Sequence, residues 1–428
     1  MSEQETLLGD IRVLDLADEE GVYCTKLLAD LGADTIKIEN PGGDPMRRIG
    51  PFFHDEPDPE KSLYWFQFNT SKRGITLNLE TADGREILKR LVKTADIMVE
   101  TFPPGYLDEM GLGYSVLSEI NPWLILTSIT PFGQTGPYRD FKASDLIAQA
   151  MGGLMYLAGF PEDSPHKLHG SQAYHSASVQ AAVGTMMALY ARELTGRGQQ
   201  VDVSLQESVL MSLETAMQHY DLRKQIRGRT ARELPMMPGM GLYPCKDGHI
   251  WSYIVAGAGA GWDVIIDWMD SEGMAGDLRD PKYEESFELI GNLRALMERS
   301  ADPEAQMARM ADFAHINEVI TAFMEAHTKR EIYEAAAPRR IMMVPAHSPK
   351  DLLESTQLEA LGYFVDVEHP ELGTSLKYPG APYYHISDAQ WRISKRAPLI
   401  GEHNFEIYEK ELGFSREQLA TLKQEGAI

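Results

Sequence analysis

Residues 11–39, IRVLDLADEEGVYCTKLLADLGADTIKIE, read as strand, turn, helix and strand in succession. IRVLDL is a short apolar run suited to a buried strand. The stretch from Val22 to Leu31 has the periodicity of a helix, and Gly32 stands where a left-handed cap favours glycine. TIKIE then supplies a second strand. The pattern continues with ITLNL at 75–79, a helix from Ala82 to Thr94, DIMVE at 96–100 and LILTSI at 124–129. Strands alternating with helices predict an α/β fold around a parallel sheet covered on both faces. No G-x-G-x-x-G follows the first strand, and Tyr23 and Cys24 occupy that turn, so the motif evidence for a dinucleotide is weak.

The character changes between about 225 and 335, where short strands (GLYPC, HIWSYIV) mix with polar helices and acidic stretches such as DPKYEESFE. The expected organisation is a large Rossmann-like domain over 1–224, a smaller inserted domain over 225–335, and a return to the large domain with a C-terminal tail over 336–428. With 428 residues, 43% of them hydrophobic, the chain is long enough for two cores. A net charge of −24 disfavours nucleic acid and anionic membrane surfaces as partners. The two cysteines, Cys24 and Cys245, offer neither a disulfide framework nor zinc-ligand spacing, so no metal is expected. The start MSEQETLLGD has no apolar run after it, and a cytoplasmic protein without a membrane anchor is the expectation.

Residues 170–199, GSQAYHSASVQAAVGTMMALYARELTGRGQ, form an apolar helix ending in a TG-R-GQ turn, with no acidic residue at its start. Five further segments are distinctive in their order: LLADLGADTIKIENPGGDPMR (27–47), NTSKRGITLNL (69–79), GLGY (111–114), PFGQTGPY (131–138) and TGRGQQVDVSLQE (195–207). VPAHSPKDLLES and APLIGEHN follow near the end. The ordered set, covering nearly the whole chain, resembles the class III CoA-transferases, the CaiB/BaiF-type family that includes formyl-CoA and carnitine CoA-transferases and α-methylacyl-CoA racemase.

The resemblance implies an interlocked dimer, with coenzyme A thioesters as substrates and no permanently bound cofactor. It places CoA on the first domain, where Arg47, Asn69, Lys72 and Arg73 match the family, together with Thr101 and Phe102 of the ETFPPG run at 100–105. Polyphosphates need such cations, although a KR pair is also ordinary as solvated loop charge. The family run carries an Arg where this chain has Pro103, which offers neither charge nor N–H. Gly257, Gly259 and Gly261 of AGAGAG suit an active-site flap, or equally a plain turn at a strand end.

The family nucleophile is an Asp opening the long helix; here Tyr174 takes its position, with His175 beside it. The Asp attacks the donor thioester to give an anhydride, becomes an aspartyl-CoA thioester, and yields CoA to the acceptor carboxylate. Only an acyl oxygen passes through both states, so neither a phenol nor an imidazole can replace it. Packing at the helix entrance is the plain alternative for both residues. Asp145 matches a family Asp outside the nucleophile role and is expected to be structural, while Glu193 and Asp202 read as surface or capping charges. A racemase is disfavoured, because Ser144 and Tyr174 stand where its proton-transfer pair would be.

The expectation is therefore a non-nucleophilic subunit of a heteromeric CoA-transferase, whose homologous partner keeps the Asp. Succinyl-CoA as donor and an aryl-substituted succinate as acceptor are what the resemblance suggests. Two alternatives remain open: a stand-alone CoA-thioester lyase or isomerase using Tyr174 or His175, and a non-catalytic CoA-binding protein.

Overall fold

A computed structural model describes residues 6–229, 237–254, 259–290, 303–380, 386–387 and 391–428. The chain divides into two compact units. The larger holds 1–157, 166–227 and 356–428, and the smaller 158–165 and 228–355.

Six parallel strands form the sheet of the larger unit: β1 Arg12–Leu16, β2 Asp34–Glu39, β3 Arg73–Thr76, β4 Ile97–Glu100, β5 Ile125–Thr130 and β6 Gln200–Ser204. Their order is β3-β2-β1-β4-β5-β6, the doubly wound arrangement in which the chain reverses direction of growth between β1 and β4. Register is set by apolar residues on both faces, with Leu14 opposite Ile36 on one side and Met98 on the other. One face packs Leu14, Met98 and Leu126 against the amphipathic helix Ala82–Val92, which Thr81 caps at Gly84 N–H. The other packs Val13, Val99 and Ile129 against helices Val22–Asp30 and Gln172–Thr195. Burying each such side chain contributes about 1.5–3 kcal/mol. Gly32 adopts φ +104°, the left-handed value expected at the end of the first helix.

The hairpin β10 Phe364–His369 and β11 Thr374–Pro379 also belongs to the larger unit. In the smaller unit, β7 Met240–Cys245, β8 Gly248–Tyr253 and β9 Met343–Pro345 form an antiparallel sheet beside helices Trp262–Ser271, Pro303–Glu325 and Lys329–Ala336. The MMVPAHSPKDLLES segment was expected to begin the return to the large domain, and here the structure differs. Trp251 pairs with Val344, so the segment completes the smaller sheet and the return falls at Thr356 rather than 336. Among the described residues no helix is long and apolar enough to cross a membrane.

Candidate active site

In a doubly wound sheet, ligands approach the carboxyl ends of the strands where the order reverses. Here that is the junction of β1 and β4. After β1 the chain runs through Asp18, Glu19 and Glu20 into helix Val22–Asp30; after β4 it runs through Thr101, Phe102 and Pro103. Asp18 N–H donates to Thr101 Oγ1 at 2.9 Å, tying the two strand ends together, and Glu20 N–H donates to Asp18 Oδ1 at 2.9 Å.

Facing this loop is the first turn of helix Gln172–Thr195. Ser178 Oγ donates to Glu20 O at 3.2 Å. Tyr174, only 4% exposed, belongs to the large-unit core. Its phenol is held well above its ordinary range, by burial first and then by Glu20 and Glu19, and so stays protonated at neutral pH. The helix has no acid in its first turn. Asp145 serves its N-terminus from outside: Oδ1 accepts Ala173 N–H at 2.8 Å, while Oδ2 receives Gln149 Nε2 at 2.7 Å and Lys167 Nζ at 3.2 Å. That is the structural part expected of Asp145. Asp202 accepts Gln134 N–H at 3.0 Å, a loop-fixing contact, and Glu193 lies 3.7 Å from Arg192. His175 is half-buried against Tyr23 and Phe68, at centroid distances of 5.3 and 5.5 Å. Burial lowers its pKa, against the pull of Asp145, so it is neutral at pH 7.

The cations expected to meet phosphates have internal partners. Arg47, 1% exposed, chelates Glu39 at 2.6 and 2.8 Å, reaches Glu60 at 2.6 Å and lies over the Trp65 ring at 3.8 Å. Lys72, fully buried, donates to Asp15 at 2.8 Å, Thr25 at 2.9 Å and Asn69 Oδ1 at 3.0 Å. Arg73 grips Asp34 at 2.9 and 2.7 Å and contacts Glu406 and Glu411. All three cations are engaged by these internal carboxylates, and Asn69 belongs to the buried network of Lys72. Thr101 and Phe102 follow the end of β4, where Phe102 stacks on Tyr106 at 4.9 Å.

Two features escaped the sequence reading. One is the Asp18–Glu20 triplet, visible as ADEEG but without evident meaning until Tyr174 is brought opposite. The other is Arg139, whose Nη2 lies 3.5 Å from where a Cβ on Gly105 would stand. It thus reaches the turn that Pro103 leaves uncharged, and it pairs with its exposed neighbour Asp140 at 3.1 Å. Of the glycine segment, Gly257 lies outside the described residues. Gly259 (φ +148°) sits so close to Arg340 O that a Cβ would approach within 2.7 Å, and Gly261 caps helix Trp262–Ser271. Among the described residues no group of His, Cys, Asp and Glu could hold a metal.

Two carboxyls here retain protons. Glu20 is pushed up to about 8 by burial, then by Asp18 and Glu19, and its Oε2 is buried without a partner. Glu100 at the end of β4 is raised from 4.5 to about 7 by burial, despite accepting hydrogen bonds from Ser128 and Phe102 N–H. A carboxyl with a raised folded pKa binds more protons folded than unfolded, so its contribution to stability falls as pH climbs from its ordinary value to its folded one. Glu100→Gln is expected to remove a decline of up to about 3 kcal/mol between pH 5 and 8. Urea melts across that range check it; an unchanged slope would contradict the assignment.

The family pattern of CoA-transferase family III matches residues 8–404. The succinyl-CoA:(R)-benzylsuccinate CoA-transferase subunit BbsE of Thauera aromatica is 36% identical over 418 residues, 97% of each chain. The succinyl-CoA–D-citramalate CoA-transferase of Chloroflexus aurantiacus is 33% identical over 432 residues, 98% of each. Among solved structures, a CAIB/BAIF family protein from Brucella suis superposes with a TM-score of 0.81 at 28% identity, covering 95% of this chain and all of that one. With the family pattern running over residues 8–404 and relatives of 33–36% identity matching nearly the whole length, the chain belongs to CoA-transferase family III.

Proposed function

We propose that this chain is the non-nucleophilic subunit of a heteromeric CoA-transferase, moving CoA from succinyl-CoA to an aryl-substituted succinate while a homologous partner supplies the catalytic Asp. The observation that carries this is Tyr174: a buried, protonated phenol at the helix-opening position, with no carboxylate in that helix turn. Glu20, the neighbouring carboxyl, holds its proton up to about pH 8 and is a poor nucleophile below that. The BbsE relative is itself named as a subunit, which supports the heteromer and motivates the donor and acceptor.

A partner-covered surface is also supported. Val183, Met187, Tyr190 and Leu194 run along helix Gln172–Thr195 with 50–71% exposure. Val183, Met187 and Tyr190 border an apolar cavity of about 550 Å³ against Leu27, Leu28 and Leu31. Such a ridge is better covered than hydrated, and an interlocked homologous subunit is the occupant this reading assigns. Within the complex, Arg139 is the guanidinium placed to meet a CoA phosphate at the Pro103 turn, and the Tyr23–Phe68–His175 cluster offers an aromatic wall.

Native mass spectrometry of the protein drawn gently from its host tests the proposal. The expected result is a stoichiometric homologue bearing the helix-opening Asp, with CoA transfer by the complex and none by the lone chain. Met187→Glu is expected to dissociate the pair. A homomer that turns over at an ordinary enzymatic rate would sink the reading, and loss of that turnover in Tyr174→Phe or His175→Asn would direct attention to a lyase or isomerase.

A further inference from the structure

The sheet of the larger unit ends at β3, which pairs with β2 on one side only and turns the N–H groups of Gly74 and Thr76 the other way. Unpaired edge groups of this kind invite pairing with another chain. Among the described residues no strand covers them; side chains do. Gly74 N–H donates to His403 Nδ1 at 3.1 Å, and Thr76 N–H donates to Asn404 Oδ1 at 2.9 Å. Both acceptors ride on the segment 398–411. The same segment returns His403 N–H to Gly74 O at 2.9 Å and the Tyr408 hydroxyl to Thr76 O at 2.6 Å. The approach is close, since a Cβ on Gly74 would come within 2.8 Å of Pro398.

The two caps differ in what they tolerate. The Asn404 amide accepts at any pH, whereas an imidazole nitrogen accepts only while it carries no proton, so His403 caps Gly74 as the neutral ring with its proton on Nε2. Its surroundings favour that form. Burial first, and then Lys395, hold the imidazole below its ordinary range; Glu402 and Glu406 pull the other way, and Arg73 of β3 adds to Lys395. Arg73 is itself paired with Asp34 of β2 and with Glu411. Against burial, Arg396 and Leu399 N–H hold Glu402 below its ordinary 4.5, and Arg73 does the same for Glu406. With those carboxylates ionised between pH 7 and 5, acid acts on the segment through His403. We propose that residues 398–411 form an acid-released strap, and that protonation of His403 Nδ1 is the event that frees the edge of β3. The protonated nitrogen turns from acceptor to donor and faces Gly74 N–H donor against donor. A released imidazole takes up its proton at a higher pH than the docked one, so falling pH favours release. The strap and the edge both lie in the larger unit, and the inference stands with or without a partner subunit.

Hydrogen–deuterium exchange of the full-length protein at pH 7 and pH 5, with labelling times scaled for the slower intrinsic exchange in acid, tests the proposal. Peptides spanning 73–77 and 399–411 are expected to lose about tenfold in protection at pH 5, while those of the inner strands at 97–100 and 125–130 keep theirs. His403→Asn sets an amide oxygen near the place of Nδ1 and takes up no proton, so its strap is expected to be protected equally at the two pH values. Unchanged protection of the wild-type strap at pH 5, loss spread evenly over the inner strands, or the same acid response in His403→Asn would overturn the proposal. If His403→Asn fails to fold, the wild-type comparison decides alone: loss confined to the two peptides supports the strap, and its absence removes it.

Discussion

In the heteromer proposed above, replacing the helix-opening Asp of the partner by Ala is expected to reduce CoA transfer by the complex about 10³-fold or more, whereas Tyr174→Phe in this chain is expected to leave kcat within about twofold. The asymmetry follows from chemistry and packing together. A nucleophile that must become anhydride and thioester in turn has no substitute once its carboxylate is gone. Tyr174 lies in the core, and Phe keeps the ring while losing only the hydroxyl. That loss is worth about 1–2 kcal/mol of stability and none of the chemistry. Tyr174→Ala would instead open a cavity and destabilise the fold by about 3–5 kcal/mol, so it cannot serve as the test. Steady-state kcat at saturating donor and acceptor, on complexes shown intact by mass, decides the matter. A hundredfold fall in Tyr174→Phe would make the phenol a participant in the reaction. Nor would Tyr174→Asp simply restore a nucleophile. The new carboxylate would be buried as the phenol is, and burial is the first cause of the raised pKa at this position, so it would be protonated more readily than an ordinary Asp.

The alternating strands and helices of the larger unit were readable because each is a local pattern: apolar runs such as IRVLDL, a helix stopped at Gly32, ITLNL before a capped helix. The location of MMVPAH was not. Its three-residue strand is specified only by antiparallel pairing with β8, nearly a hundred residues earlier, and nothing local distinguishes it from the parallel strands of the large sheet. The same limit applied to the site. Lys72 and Arg73 were recognisable as cations on a motif, but their partners lie 57 residues away at Asp15 and 333 and 338 residues away at Glu406 and Glu411. Whether a cation is open to a ligand depends on such distant carboxylates. Tyr174 was legible because its significance lies in residue type at a motif position; the triplet Asp18–Glu20 was not, since its effect on Tyr174 exists only once the sheet has brought β1 beside the long helix.

Those distant pairings set a large stability effect at a single buried carboxylate. Asp15 is fully buried, with Lys72 Nζ at 2.8 Å from one oxygen and Lys37 Nζ at 3.8 Å from the other, and Thr25 and Ala17 N–H complete its shell. Burial works to raise the carboxyl pKa, but the two ammonium groups outweigh it and hold the pKa below its ordinary value. Asp15→Asn removes the charge that both lysines answer to and is expected to destabilise the protein by about 3–5 kcal/mol at pH 7. Lys37 retains Asp44 at 3.1 Å, so most of the loss falls on Lys72. Burial already draws Lys72 down to about 8 from an ordinary 10.5 with Asp15 resisting, and without Asp15 it falls further. A lysine whose folded pKa lies below its unfolded one binds fewer protons folded, so stability rises with pH between the two values. Asp15→Asn should therefore recover part of its loss between pH 7 and 10, as Lys72 sheds a proton that the unfolded chain still holds. Lys72→Met leaves Asp15 with Lys37 and should cost less, about 1–3 kcal/mol, and the double variant should fall well short of the sum of the two. Urea melts of the four proteins at pH 7 and 9.5 give the coupling directly. Additive losses, or an Asp15→Asn deficit that does not shrink at the higher pH, would show that Lys72 is not held by Asp15 and would reopen it as a cation free to meet a ligand.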